Sequence, residues 1–372
     1  MKLKVLHVTL SMGTGGLERS ILNLLNAHDK SLFDPAVLCL DAPGDLFSHL
    51  KELGIPGYCE HRKPGLDLGL IFRLFSFLKK HPMDVIHTHN QAALFYAGPA
   101  AFMARVPVRI ITEHSRHRID GVPIRMWEKR FLSYLVNHWV TVSQSLLDQG
   151  HGKDGIHRDK LKVIPNGIRV SPTLPEKKRK KDIKKRLGVG ADDFVIFMPA
   201  RLDPVKNHVL VLETLAQWKD EWPHVHCVLA GDGPHKKHLE QHSQSLGIGE
   251  FIHFLGNRDD VEDLWEAADL FVLCSHSEGL SLALLEASAS GTPVVVTPAS
   301  NAAGFIVHGE NGWVIESTVD ALGRTVAAII SGKENLQAMV MDGYHRVKTN
   351  HSSETMTRQY EELYLNSSER KA

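Results

Sequence analysis

The chain lacks the features that would place it in several large classes of protein. It has only four cysteines, Cys39, Cys59, Cys227 and Cys274, with no CxxC pair, so neither a disulfide framework nor a thiolate zinc site is indicated. Charge of one sign is not in excess. The 43 basic and 43 acidic residues cancel, and no overall field calls for nucleic acid as a partner. Long apolar runs are missing. The longest uncharged stretch of apolar character, near 92–104, is broken by Gly98 and Pro99, whereas a spanning helix needs about 20 apolar residues. The apolar segment in residues 1–10 is too short for a signal peptide and reads as a buried strand. Internal repeats and low-complexity tracts are lacking too. Each cysteine falls in or near an apolar run, which suits buried thiols in a reducing compartment.

What is present is a 43 % hydrophobic chain of 372 residues, long enough for two packed domains. Short apolar runs recur at 5–10, 36–40, 84–89, 108–112, 138–143 and 162–165, then at 194–199, 224–230, 251–255, 270–274 and 293–297. Strands buried on both faces and alternating with helices predict parallel sheets built from βαβ units. Helical spacing is clear at Leu17, Ile21, Leu24 and Leu25. A boundary is expected after Asn166-Gly167-Ile168, where Pro172 and Pro175 precede the basic run 177–186. That run reads as a solvated helix face opening the second domain, with contact to an anionic membrane surface as the alternative. A last helix is expected over 352–365.

Unusual polar residues gather where the strands end, the place where open parallel sheets bind ligands. Glu278 and Glu286 follow the 270–274 run across Gly279. At the helical rise of about 1.5 Å per residue the eight positions span roughly 12 Å, so one extended ligand could meet a carboxylate at each end, with free N–H groups of the helix start facing what lies between. Five Glu pairs share this spacing, and only this one lies on a strand–Gly–helix turn. Arg201 and Lys206 bracket a short loop after the 194–199 run, a fork and a mobile ammonium that suit two phosphates or, in the plainer reading, an ion pair with Asp203. The Gly13–Gly16 and Gly231–Gly233 loops match neither the dinucleotide fingerprint nor the P-loop, because Glu18 and Lys236 stand where the fingerprint's third glycine belongs. Among 23 histidines, His87-x-His89, His114-x-x-His117 and His224-x-His226 lack an organised carboxylate or thiolate partner, so no metal site is expected.

Taken in order, these elements resemble the family 4 retaining glycosyltransferases of GT-B fold. The resemblance covers nearly the whole chain: the early Gly-Gly loop, Thr112-Glu113-His114, Val163-Ile164-Pro165-Asn166-Gly167-Ile168, Ala200-Arg201-Leu202-Asp203-Pro204-Val205-Lys206-Asn207, Ala230-Gly231-Asp232-Gly233-Pro234, Ala268-Asp269-Leu270-Phe271-Val272, and the Glu278-x7-Glu286 block with Gly291-Thr292-Pro293-Val294. It implies an α/β chain of two Rossmann-like domains facing across a cleft. Residues 1–168 would bind the acceptor and 169–350 the nucleotide sugar, with 351–372 a helix crossing back to the first domain. Arg201 and Lys206 would hold the donor diphosphate, Glu286 the ribose, and Glu278 and His114 the transferred sugar. Gly15, Gly16, Gly231, Gly279, Leu280, Ser281 and Leu282 would line the donor, and Asn257 and Arg258 would border the base. No metal or other cofactor is implied. Two departures stand out: 298–304 lacks the family's frequent Gly-Gly-x-Pro-Glu, and Cys274 replaces a frequent Pro.

Acceptor signals are sparse. Arg116, His117 and Arg118 follow His114, and Arg125, Trp127, Lys129, Arg130, Phe131 and Tyr134 mark an amphipathic helix. These suit a glycan or lipid-linked glycan acceptor at a membrane surface, or an ordinary half-buried helix. The resemblance implies envelope-glycan synthesis in a bacterial cytoplasm, at the inner face of the membrane. A sugar-nucleotide epimerase of related fold is the competing enzyme, but the acidic cluster expected around its sugar carbon is missing from the sequence. A non-catalytic binding protein would not need the full Arg201, Lys206, Glu278 and Glu286 set.

Overall fold

The computed structural model describes residues 2–114, 126–332 and 335–369. The chain divides into two compact units, one of residues 1–169 with 352–372, the other of 170–351.

In the first unit, seven parallel strands form one sheet in the order β3-β2-β1-β4-β5-β6-β7. They are β1 (Leu3–Ser11), β2 (Phe33–Ala42), β3 (Gly57–Cys59), β4 (Val85–His89), β5 (Val108–Glu113), β6 (His138–Thr141) and β7 (Leu161–Val163). The apolar runs place six of these. Only β3 escapes the pattern, since Gly57, Tyr58 and Cys59 are too few to show a period. Helix Gly16–Ala27 buries Ile21, Leu24 and Leu25. Helix Gln91–Met103, which contains Gly98 and Pro99, is buried on most of its circumference, which explains why its composition shows no amphipathic stripe. Helix Ser353–Glu369 packs Met356, Tyr360 and Tyr364 into the core of this unit with Val5, Val85 and Ile110.

The second unit repeats the design. Its six parallel strands are β8 (Phe194–Pro199), β9 (Val225–Ala230), β10 (Ile252–Gly256), β11 (Leu270–Leu273), β12 (Val294–Val296) and β13 (Trp313–Val314), in the order β10-β9-β8-β11-β12-β13. The two-residue β13 was beyond any sequence period. The second sheet has the Rossmann order 3-2-1-4-5-6 and the first adds a seventh strand to it; both reverse direction beside their first strand. Ligands bind such sheets at the carboxyl ends of the two strands that flank the reversal. Those pairs are β1/β4 and β8/β11.

The basic run 177–186 shows the expected solvated face at Lys178, Arg179, Lys181, Lys185 and Arg186, but Lys177, Lys180 and Lys184 are drawn inward. Lys177 donates to Ala268 O at 2.6 Å and Thr292 Oγ1 at 2.9 Å, and burial, reinforced by nearby Lys180, lowers its pKa to about 8. Lys184 is buried, donating to Asp269 Oδ2 at 2.7 Å and Asp193 O at 2.5 Å. Lys180 also pairs with Asp269. Lys180 and Lys184 thus share an internal carboxylate, which composition alone does not reveal. Among the described residues, no helix is long and apolar enough to cross a membrane.

Candidate functional site

The second unit builds a charged site at the β8/β11 ends. The chain leaves β8 through Ala200 and Arg201, held down by hydrogen bonds Ala200 N to Ala230 O and Leu202 N to Asp232 O, both 3.0 Å. This close crossing requires Gly231, where a Cβ would fall 2.1 Å from Ala200 O. Asp203 then caps a single 3-10 turn, Pro204–Lys206, accepting from Val205 N at 3.1 Å, and Asn207 takes a left-handed conformation (φ 52°) into helix His208–Trp218. The turn is tied to the neighbouring loop by His276 N to Val205 O, 2.8 Å.

That geometry brings Lys206 Nζ to 2.5 Å from Glu278 Oε1, which also accepts from Ser275 Oγ at 2.7 Å. Buried Ser300 in turn supports Ser275, donating to its carbonyl at 3.2 Å. The 298–304 stretch that departs from the family pattern therefore braces the Glu278 loop. Arg201 is left reaching outward, 68 % exposed, with Asp203 at 4.0 Å.

The Glu278–Glu286 interval is part loop and part helix. Helix Leu282–Ala289 starts only after Ser281, whose hydroxyl accepts from Leu284 N at 3.4 Å. The 12 Å expectation therefore does not apply, because Glu278 lies on the loop before the helix. Glu286 sits half-buried on the second helical turn, while Gly279, Leu280 and Leu282 are buried around the loop. Asn257 and Arg258 follow β10, and Arg258 is already engaged with Asp260 through contacts of 2.8 and 2.6 Å. His208, next to Asn207, is fully buried with both ring nitrogens unpartnered. Burial, then Lys206, lowers its pKa to about 4.

The first unit presents a different chemistry at its strand ends. Gly15 caps helix Gly16–Ala27. A Cβ on Gly15 would lie 2.4 Å from Glu18 Oε2, so the chain's own carboxylate already faces this positive helix end. Around Gly16 the space is open. His114 follows β5, and its Nε2 lies 3.3 Å from His89 Nδ1. Burial lowers its pKa to about 4, against a small opposing effect of the Asn166 side chain. His114 Nδ1 is enclosed and makes no hydrogen bond of good geometry. Arg116 and Arg118, expected to serve the acceptor, lie outside the described residues. Lys129, expected on the same basic surface, is instead buried between Glu113 Oε1 (2.8 Å) and Asp154 Oδ2 (3.0 Å).

Sequence reasoning missed Ser275, Ser300 and above all His7. His7 on β1 lies in register with His87 on β4, and the nitrogens of His7, His87 and His89 lie within 4.8 Å of one another. Polar histidines inside otherwise apolar strands were the available signal. Five of the six ring nitrogens already have a polar partner, His7 Nε2 being the exception, which makes this a poor donor set for a metal. His87 Nδ1 meets Tyr364 OH and His87 Nε2 meets Thr112 Oγ1, both at 2.7 Å. His7 Nδ1 meets His89 Nε2 at 3.1 Å. None of these three histidines is paired with a carboxylate that would balance a dication.

Comparison with known proteins agrees with this architecture. The chain is 25 % identical over 367 residues to the UDP-Gal:alpha-D-GlcNAc-diphosphoundecaprenol alpha-1,3-galactosyltransferase of Escherichia coli, covering 93 % of this chain and 94 % of that one. It is 25 % identical over 328 residues to the N-acetyl-alpha-D-glucosaminyl L-malate synthase of Bacillus anthracis, covering 85 % and 83 %. The crystal structure of Anabaena Alr3699/HepE in complex with UDP and glucose superposes with a TM-score of 0.85 at 23 % identity, over 97 % of this chain and 99 % of that one. The model of the Glycosyltransferase Family 4 matches residues 14–171, and that of the Glycosyl transferases group 1 matches residues 179–346. The chain therefore belongs to the group 1 and family 4 glycosyltransferases of GT-B fold, and it is a glycosyltransferase.

Proposed function

We propose that this enzyme moves a hexosyl group from a nucleoside-diphosphate sugar, a UDP-sugar foremost, to a hydroxyl of a glycan or lipid-linked glycan, with retention of anomeric configuration. The observation that carries this reading is the Lys206–Glu278–Ser275 cluster beside exposed Arg201, at the strand ends where a Rossmann sheet takes its ligand. In the transfer, the bond from the anomeric carbon to the diphosphate oxygen breaks and its electron pair leaves with the diphosphate. The acceptor oxygen bonds to that carbon, and its proton passes to a departing phosphate oxygen. Negative charge grows on the diphosphate, and preorganised cations there lower the barrier. Arg201 supplies one, and Lys206 a second, its ammonium pre-aimed by Glu278. In this role they do what a metal ion does elsewhere. Glu286 binds the ribose hydroxyls, Asn257 borders the base, and Glu278 and His114 contact the transferred sugar.

The donor class is supported by the UDP-Gal named for the Escherichia coli relative and by the UDP in the Anabaena complex. The lipid-linked acceptor named for the former supports an envelope glycan, made in the cytoplasm with peripheral contact to the membrane. Exposed Phe131 and Tyr134 (63 % and 66 %) suit such contact. Residues 1–168 would serve the acceptor and 169–350 the donor.

The test is thermal stabilisation of wild type and Arg201→Ala by UDP, GDP, ADP and NAD, followed by sugar transfer from the matching donor. A ligand at 100 times its dissociation constant stabilises by about 2.7 kcal/mol. One nucleoside diphosphate should stabilise wild type far more than the variant. Stabilisation by NAD alone, or equal stabilisation of both proteins, would refute the assignment.

A further inference from the structure

Polar residues gather at the starts of three neighbouring strands of the second sheet, β10, β9 and β8. Asp193 directly precedes β8, His224 directly precedes β9, and His226 is the second residue of β9. The pair His224-x-His226, without an organised carboxylate in the sequence, gains one from strand register. Phe194 pairs with Val225 and Val195 with His226, which sets Asp193 against both histidines. His224 Nδ1 lies 3.3 Å from Asp193 Oδ1, and His226 Nε2 lies 3.3 Å from Asp193 Oδ2. Gly190 N donates to Asp193 Oδ2 at 2.8 Å and so fixes the carboxylate. On its other side, His226 Nδ1 lies 3.0 Å from Nε2 of His253 on β10. Unlike the histidines of the first unit's sheet, these are open to solvent. The side chain of His224 is 79 % exposed, and those of Asp193 and His226 are 21 % and 14 % exposed.

This donor set suits a borderline dication. Zinc holds imidazole nitrogen at about 2.0–2.1 Å and carboxylate oxygen at about 2.0–2.2 Å, so ligand atoms of a tetrahedral site stand about 3.3–3.5 Å apart. Both contacts with Asp193 match that edge. A neutral imidazole carries one N–H. When His226 donates from Nδ1 to His253 Nε2, its lone pair stands on Nε2, the atom beside Asp193. Burial lowers the basicity of His226 against the opposing pull of Asp193, so its ring is neutral near pH 7 and able to ligate. Charge fits as well, because Asp193, with exposed Glu250 acting on His226 from before β10, offsets a dication. The cluster of His7, His87 and His89 has no such carboxylate. One motion is required. The two nitrogens meet different oxygens of Asp193, and the exposed ring of His224 must turn to bring both onto one ion.

We propose that Asp193, His224 and His226 bind a divalent transition-metal ion, zinc foremost, which pins the starts of β8 and β9 together. Water completes the coordination. His253 does not touch the ion and acts through His226, as outer partners of a ligating histidine set its tautomer. Two imidazoles with one carboxylate favour zinc over magnesium or calcium, which take oxygen ligands. The role is structural. Six residues of β8 at about 3.3 Å each separate this site by roughly 20 Å from the strand end that carries Arg201 and Lys206. The ion therefore takes no part in the transfer chemistry. Through His253 the clamp extends to β10, the edge strand of this sheet.

The experiment is calorimetric titration of Zn²⁺ into the full chain near pH 7, after a chelator has stripped it and been removed, with urea midpoints alongside. Wild type should take up Zn²⁺ with one-to-one stoichiometry, and excess Zn²⁺ should raise its midpoint. His224→Ala and Asp193→Asn should each weaken uptake about tenfold or more and erase that rise. Asparagine keeps an acceptor for Gly190 N, and His224 is largely exposed, so neither loss can be put down to unfolding. His253→Phe should weaken uptake about tenfold, the scale of an outer partner. Mg²⁺ should neither bind nor move the midpoint. A wild type without stoichiometric uptake would overturn the proposal, as would unchanged affinity in both His224→Ala and Asp193→Asn. His238 and His242, whose rings stand 5.8 Å apart on helix Lys236–Ser245, are the rival chelate. Uptake lost in His238→Gln and kept in His224→Ala would place the ion there and overturn the assignment.

Discussion

The histidines of β1 and β4 in the first unit are enclosed, whereas the candidate site residues at the β8/β11 strand ends of the second are charged and reach solvent. His7, His87 and His89 are at most 3 % exposed, while the Arg201 side chain is 68 % exposed and Lys206 carries a 2.5 Å ion pair. One strand order thus serves two electrostatic purposes. Low basicity in the first unit comes from burial, and it favours hydrogen bonding to neutral hydroxyls. Open cations in the second unit favour a diphosphate. Within a shared sheet topology, what differs is which residues occupy the strand ends.

The sharpest way to break this comparison is acid. An unfolded histidine titrates near 6.5, while His114 titrates at about 4 in the folded chain, and His7, His87 and His89 are shifted in the same direction. Between those values the unfolded chain binds more protons, so stability is full above about pH 6.5 and falls as pH drops towards 4. His114 alone would lose on the order of 3 kcal/mol across that window. Denaturant midpoints against pH should show the decline, and amide exchange should place it in β1 and β4. A flat profile would mean the histidines are not neutral and enclosed as described.

Next in size, Asp269→Ala strips the second unit of the partner shared by Lys180 and buried Lys184. Burial works against the Asp269 carboxylate, yet the two lysines hold its pKa below the usual range. Removing one side of a buried pair costs roughly 3–5 kcal/mol, and the lower figure is expected because Lys180 is partly exposed. Urea unfolding would measure it.

Lys206→Ala should lower turnover by about 10²-fold or more, as losses of transition-state donors do, with little change in denaturant midpoint. Comparable turnover would remove Lys206 from the site. The smallest effect expected is that of Ser300→Ala, which takes one donor from the Ser275 carbonyl. A loss of about 1 kcal/mol in stability, with a modest fall in kcat through a looser Glu278 loop, would place Ser300 as a brace.

Much of this was legible in the sequence because buried parallel strands leave continuous apolar runs, and eleven strands announce themselves that way. Gly57–Cys59 and Trp313–Val314 did not, being shorter than any period. Arg201, Lys206 and Glu278 could be read because rare polar types follow strand ends. Ser275 and Ser300 could not, since serine is common in loops and only three-dimensional contact joins 275 to 300. The lysines of 177–186 misled for a related reason. Lys180 and Lys184 are drawn in by Asp269, 89 and 85 residues along the chain. His7 stood out as a histidine inside an apolar run, but its partner His89, 82 residues away, could be found only from strand register.

The return of the chain to the first unit carries a consequence for how the protein is made. Ile168 and Ser352 are bridged side by side, and Ser353 N donates to Ile168 O at 2.7 Å. The second unit is therefore a guest spliced into one point of its host. On the ribosome the host's sheet emerges first, yet Met356, Tyr360 and Tyr364, which complete its core, follow the whole of 170–351. At about 5–20 residues per second that delay is roughly 10 to 40 s. Throughout it the guest can fold to completion while the older unit stands open along the face that awaits its final helix.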